Sequence, residues 1–189
     1  MTRVCLVGSD DVNLRYELLS RETARDALAT YDLREPFENS VGLETVSLGA
    51  AVALLNDLNW YLVRFADEAM VHEPSVSETE WLSRDLAAAV RDDAVGPDEA
   101  ARFCKVYGLE AADAHADADG ESDDSANDGA TGAEHDGGPG SGVGADPAGP
   151  KRLVEPMYVT RTGNDIPDYD LRDVEETVVE RVTESEFGA

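Results

Sequence analysis

Lysine is almost missing from this chain. Lys105 and Lys151 are the only two in 189 residues, and every other basic residue is arginine. Against 15 basic residues stand 41 aspartates and glutamates, for a net charge of −26. Duplex nucleic acid binding needs Lys and Arg to neutralise phosphates, so the lack of a basic stripe argues against a nucleic-acid partner. The same shortage of cations disfavours anionic membrane surfaces. Long apolar runs are missing too. None reaches the ~18 residues of a spanning helix, and Asn56, Asp57, Asn59 and Arg64 interrupt the best candidate. The start offers only Val4-Cys5-Leu6-Val7 before Asp10-Asp11, which is no signal-peptide pattern, so a cytoplasmic protein is expected. Cys5 and Cys104, the two cysteines, lie far apart on apolar faces and read as buried free thiols rather than a disulfide. No repeat of about 20–50 residues is visible.

What is abundant is acid. An excess this large points to a protein made for very high salt, where self-repulsion is screened because the Debye length at ~1 M is only ~3 Å. Dilute buffer removes that screen.

The most apolar stretch is Ser47–Val71. Leu48, Ala51, Val52, Leu55 and Leu58 recur at helical spacing and predict a helix over 47–59. Trp60–Phe65 is aromatic and aliphatic and reads as a strand. Asp67-Glu68 then reads as a hairpin turn before Ala69–His72. Upstream, Arg3–Val7 is a buried strand ending at Gly8-Ser9-Asp10-Asp11, and helical character begins near Asn13 with a division at Ser20. Pro36 leaves 32–42 as loop or short edge strand. Downstream, Ser77-Glu78-Thr79-Glu80 has the form of a capping box for a helix ending near Asp92-Asp93. Gly96-Pro97-Asp98-Glu99 starts another, with Ala100, Phe103, Cys104 and Tyr107 on one face and Gly108 as its C-terminal stop.

Residues 111–150 hold ten acids, no Lys or Arg, nine glycines and a single large apolar residue, Val143. Such a stretch cannot bury enough to offset its ordering entropy and reads as a disordered linker or acidic arm. After Pro150, Met157–Arg161 alternates as a strand. Leu171, Val174, Val178 and Val182 suit a helix capped by Asp168 or Asp170, although their β-branching leaves a strand open. The 151–189 tail is too short for its own core and should dock on 1–110. The expected fold is α/β or α+β, with four or five strands and helices packed on them.

One place hints at a site. The loop Gly8, Ser9, Asp10 and Asp11 follows a strand and precedes a helix, where open α/β sheets bind ligands. Its backbone N–H groups could receive an anion, although Asp10 and Asp11 repel phosphate unless Mg²⁺ intervenes. No Walker loop and no G-x-G-x-x-G is present. A polar turn with Asp capping the helix accounts for the same residues. A receiver domain is excluded because Gly8 and Ser9 displace the acids from the strand end. His72-Glu73 has acid–base residue types but no nucleophile, and reads as an exposed hairpin end. His115 and His135 have no Cys partners for zinc. Arg161–Asp165 reads as a strand end and turn. No catalytic residue, metal site or cofactor is assigned.

The segments Thr2–Asp11, Leu14-Arg15-Tyr16-Glu17-Leu18-Leu19-Ser20-Arg21-Glu22-Thr23 and Asn59-Trp60-Tyr61-Leu62-Val63-Arg64-Phe65 resemble an uncharacterised protein family of haloarchaea, a domain of unknown function. The resemblance implies a haloarchaeal cytosol and no activity. The expectation is a non-catalytic binding or regulatory module that contacts another protein. Its alternative is a small-ligand protein, for a nucleotide or phosphate with Mg²⁺, using the loop after the first strand.

Overall fold

The computed structural model describes residues 1–112 and 149–189. Strand β1 (Thr2–Gly8) forms from the first apolar run. Alternation puts Val4 and Leu6 under the helices and Cys5 on the opposite face. Helices α1 (Leu14–Leu19) and α2 (Glu22–Leu28) follow. Asn13 caps α1, its Oδ1 accepting from the Tyr16 N–H at 2.9 Å. The division does fall at Ser20, but Ser20 ends α1 and caps no second helix. Strand β2 (Ser40–Thr45) lies at a sheet edge. Ser47 then caps α3 (Leu48–Asp57), whose Ala51, Val52, Leu54 and Leu55 are buried.

The next segment departs from expectation. Trp60–Phe65 is not a strand but part of α4 (Asn59–Phe65). Its β-propensity is overridden because Leu58, Leu62 and Phe65 recur at helical spacing and all three are buried. Asp67-Glu68 is not a turn either. It opens the continuous strand β3 (Ala66–His72). The Ser77 capping box starts no helix: the Ser77 Oγ accepts from the Glu80 N–H at 3.1 Å in a local turn, and the chain enters strand β4 (Trp81–Ser83). Ser83 instead caps α5 (Arg84–Arg91), which ends at the Asp92-Asp93 pair.

Pro97 does open a helix, α6 (Pro97–Ala100), but it lasts one turn. Phe103 onward is strand β5 (Phe103–Ala111), with Gly108 inside it rather than ending a helix. There a Cβ would stand 3.0 Å from the Tyr169 ring, so the bare backbone is what lets Tyr169 cover the strand. Strand β6 (Lys151–Thr160) extends the expected Met157–Arg161 run toward the N-terminus. The last apolar segment takes its strand option as β7 (Glu176–Val182), with no helix capped by Asp168 or Asp170. A four-residue helix, α7 (Glu184–Phe187), closes on a capping box of Thr183 and Glu186. The acidic stretch 113–148 lies outside the described residues, with His115 and His135.

The strands form one seven-stranded sheet, rather than four or five, in the order β2-β1-β3-β4-β7-β5-β6. Only β4–β7 is parallel among its strand pairs. On one face Val4, Leu6, Val41, Leu43, Val71 and Leu82 pack against the helices, centred on Leu55 and Leu58. The other face is concave. The sheet curls until the Glu38 N–H donates to the Lys151 carbonyl at 2.9 Å, bringing the segment before β2 onto β6. Cys5, Phe37 and Met70 thereby pack with Trp81, Leu109, Leu153 and Val178. Cys5 and Cys104 are both buried and free, as expected. No helix among the described residues is long and apolar enough to cross a membrane.

Candidate functional site

The curl leaves a cleft of about 930 Å³ at one end of the concave face. Its walls are the loop after β1, the segment before β2, the start of β3, and the β5–β6 ribbon. Among the four expected site residues, Gly8 and Asp10 line it, whereas Ser9 and Asp11 do not.

That loop is held by Asn39, which sits at φ 52°. Asn39 Oδ1 accepts from the Leu14 N–H at 2.9 Å, and Nδ2 donates to the carbonyls of Ser9 at 3.0 Å and Val12 at 2.9 Å. Gly8 must be glycine here, because a Cβ would stand 2.6 Å from Asn39 Nδ2 and 2.7 Å from Leu14 Cβ. The Gly8 N–H donates to the Asn39 carbonyl at 2.9 Å and the Ser9 N–H to the Phe65 carbonyl at 3.0 Å. Two of the loop's amides are thus engaged. The Ser9 hydroxyl donates to Asp67 at 2.6 Å. Asp10 is exposed and pairs with Arg152 at 3.2 Å, across 142 residues of sequence.

The rest of the lining was not foreseen. Seven carboxylates face the cleft against Arg15, Arg152 and Arg172. Arg172 bonds to Glu110 at 3.2 Å and Glu155 at 3.1 Å, so it is occupied as Arg152 is. Arg15 makes no ion pair among the described residues. At the floor, Tyr107 donates its hydroxyl to Glu68 at 2.5 Å, and Lys105 donates to the same oxygen. Burial would lower the Lys105 pKa, but the bond to Glu68 outweighs it and holds the ammonium above its ordinary value. Burial and the charges of Glu180 and Glu68 push the Tyr107 hydroxyl far up, so it serves as a donor only.

Behind this floor lies Glu180, fully buried, with no hydrogen bond to either carboxylate oxygen. It stands opposite Lys105 in the β5–β7 register and opposite Trp81 in the β4–β7 register, so it shares their concave face. Burial first, and the Glu68 charge second, raise its pKa well above the carboxylate range. Nearby Cys5 is pushed up to about 12 by burial, which makes it an inert thiol.

Two other expected sites are structural. His72 is buried rather than at an exposed hairpin end. Arg3 approaches its Nδ1 at 3.1 Å, so Nε2 donates to the Glu78 carbonyl at 3.0 Å, leaving no free nitrogen for acid–base work. Glu73 accepts from the Thr2 hydroxyl at 2.5 Å. Burial would raise its pKa, but the bonds from Thr2 and Ser75 hold it below the ordinary value. Arg161 stands one residue past the end of β6 and reaches Glu80 at 2.5 Å, where Arg181 also binds at 2.5 Å. Among the described residues no group of three or more His, Cys, Asp or Glu is placed to hold a metal ion.

Fold and cleft together define a mixed α/β protein with a polar, acid-lined cleft inside a curled sheet. Residues 2–109 match the family of unknown function DUF5804, and the chain belongs to that family. The match runs from β1 into β5 and ends before β6 and β7. No curated protein matches the chain, and no solved structure matches it.

Proposed function

We propose that the protein is a non-catalytic binding module whose cleft takes a small organic cation. One observation carries this reading: seven carboxylates face the cleft against three arginines, two of which are already ion-paired. The volume of about 930 Å³ lies within the usual range for small-molecule sites. An ammonium or guanidinium group gains charge-assisted bonds there, while a phosphate meets repulsion and finds the Gly8 and Ser9 amides engaged. This reverses the charge of the nucleotide or phosphate ligand that the loop alone suggests.

A thermal-shift screen in molar KCl tests it, using primary amines, guanidines, neutral sugars, and nucleotides with and without Mg²⁺. An amine or guanidine at 100 times its Kd adds about 2.7 kcal/mol of stability, and Glu68→Gln weakens that shift. A shift only with nucleotide and Mg²⁺ would overturn the reading.

A second reading, a protein-contacting module, rests on α1 and α4. Tyr16, Trp60 and Val63 are exposed at 68%, 57% and 79%. Arg21 and Arg64 stack over Trp60 at 5.8 and 5.6 Å. Exposed tryptophan with arginine is the composition of interface hot spots. Trp60→Ala abolishing a reproducible co-purifying partner supports this reading, and an unchanged partner refutes it. The strong acidity supports a further expectation, that the protein works in a high-salt cytosol.

A further inference from the structure

Two carboxyl groups and one lysine meet on the concave face. Glu68 from β3 lines the cleft and accepts from Lys105 and Tyr107. Glu180 from β7 is directly opposite Lys105 and fully buried, with both oxygens unpartnered. Directly opposed cross-strand residues have Cβ atoms about 4.5–5.5 Å apart, well within a lysine's reach. A buried carboxyl left without partners is costly as a charge and tolerable as a neutral acid. Lys105 supplies one positive charge, and Glu68 holds it. Among the described residues Lys105 is the one cation whose charge bears on Glu180, while Arg3 on β1 reaches the Trp81 ring and His72. On β1 there is Cys5, on β5 Tyr107, and on α7 Glu186, whose charge opposes ionisation further. Ser83 on β4 donates to Glu186 at 2.7 Å and is not free for Glu180.

We propose that Glu68, Lys105 and Glu180 form a proton switch at the cleft floor, in which one lysine serves whichever carboxyl group the ligand leaves to it. With the cleft empty, Lys105 stays on Glu68 and Glu180 keeps its proton. A cation bound at Glu68 releases Lys105, which turns across the ladder to Glu180. The Glu180 O–H bond then breaks, the electron pair stays on the carboxylate, and one proton leaves to water. No redox change is involved. The inference deepens the cleft reading by adding its regulation: ligand affinity rises with pH, because binding releases a proton.

The switch is testable without any ligand, because Glu68→Gln imitates an occupied Glu68. Infrared spectra of the full chain in molar KCl at pH 7 should show one protonated buried carboxyl in the wild type. Glu180→Gln removes that band because the group is gone, and Glu68→Gln removes it because Lys105 moves. Lys105→Met retains it, and guards against a Glu68→Gln protein that does not fold. A folded wild type without the band overturns the proposal, as does a folded Glu68→Gln protein that keeps it. Agmatine is the probe for the ligand arm. Proton release on agmatine binding supports both readings. If the variants behave as expected but agmatine and other cations do not bind, the switch stands and the cleft's ligand reading falls.

Discussion

Glu80 offers the sharpest test of how the two ends of the chain are joined. It precedes β4 and bonds Arg161 after β6 and Arg181 within β7, each at 2.5 Å. All three side chains are only 12–13% exposed. Burial would raise the Glu80 pKa, but the two arginine bonds outweigh it and hold the carboxyl below its ordinary value. Glu80→Gln keeps one neutral acceptor, loses the charge, and leaves two guanidinium groups facing each other. Hydrogen bonds to charged groups contribute about 1.5–3 kcal/mol each. Breaking a buried ion pair costs about 3–5 kcal/mol, and the retained acceptor recovers part of that. The expected loss is about 2–3 kcal/mol, a fall in Tm of about 4–12 °C for a chain of this size. Urea unfolding in molar KCl measures it, with exposed neighbour Glu78→Gln as the control, expected within about 0.5 kcal/mol. Because the Glu80 pKa is depressed, its contribution is present above the ordinary carboxylate value and lost as pH falls through the depressed one. Glu80→Gln should therefore flatten the acid limb of the stability curve. Equal stability of the Glu80 and Glu78 variants would refute the reasoning.

The remaining predictions concern salt, the acid core and the helix layer. Circular dichroism melts should show loss of stability on transfer from molar KCl to dilute buffer, and equal melts would remove the high-salt reading. Glu180→Met should stabilise the protein at neutral pH by about 1–4 kcal/mol, measured by urea unfolding. The sign follows from the raised pKa of Glu180: its contribution is present in full below the ordinary carboxylate value and lost as pH rises through the folded one. The Met variant should lack that decline. Leu55→Ala, at a fully buried position, should cost roughly 2–5 kcal/mol in the same assay.

What the sequence made legible was local. The apolar run Arg3–Val7 announced β1, the helical spacing of Leu48, Ala51, Val52 and Leu55 announced α3, and Pro97 announced a helix start. It misled where burial, not periodicity, sets the element. Phe103, Cys104 and Tyr107 fit a helical stripe, yet Phe103, Cys104, Val106 and Tyr107 are all buried because β5 is covered on both faces. Trp60–Phe65 failed in the opposite direction, its aromatic run hiding a helix. The site was half legible. A loop between strand and helix is a local signal, and Gly8 and Asp10 of that loop do line the cleft. Their cleft partners Arg152, Tyr107 and Glu68 arrive through pairings that no local pattern encodes. Glu180 was invisible for a different reason. It sits among Glu175, Glu176 and Arg181, where an acid reads as solvated surface until β7 is placed inside the sheet.

Strand β7 lies between β4 and β5, so the sheet, the cleft and the Glu68–Lys105–Glu180 triad depend on both ends of the chain. Native-state hydrogen exchange of the full protein in molar KCl tests this most directly. Ladder amides of β7 and β1 should open with the same free energy, as parts of one cooperative unit. Exchange of β7 at far lower free energy, with β1 still protected, would contradict it.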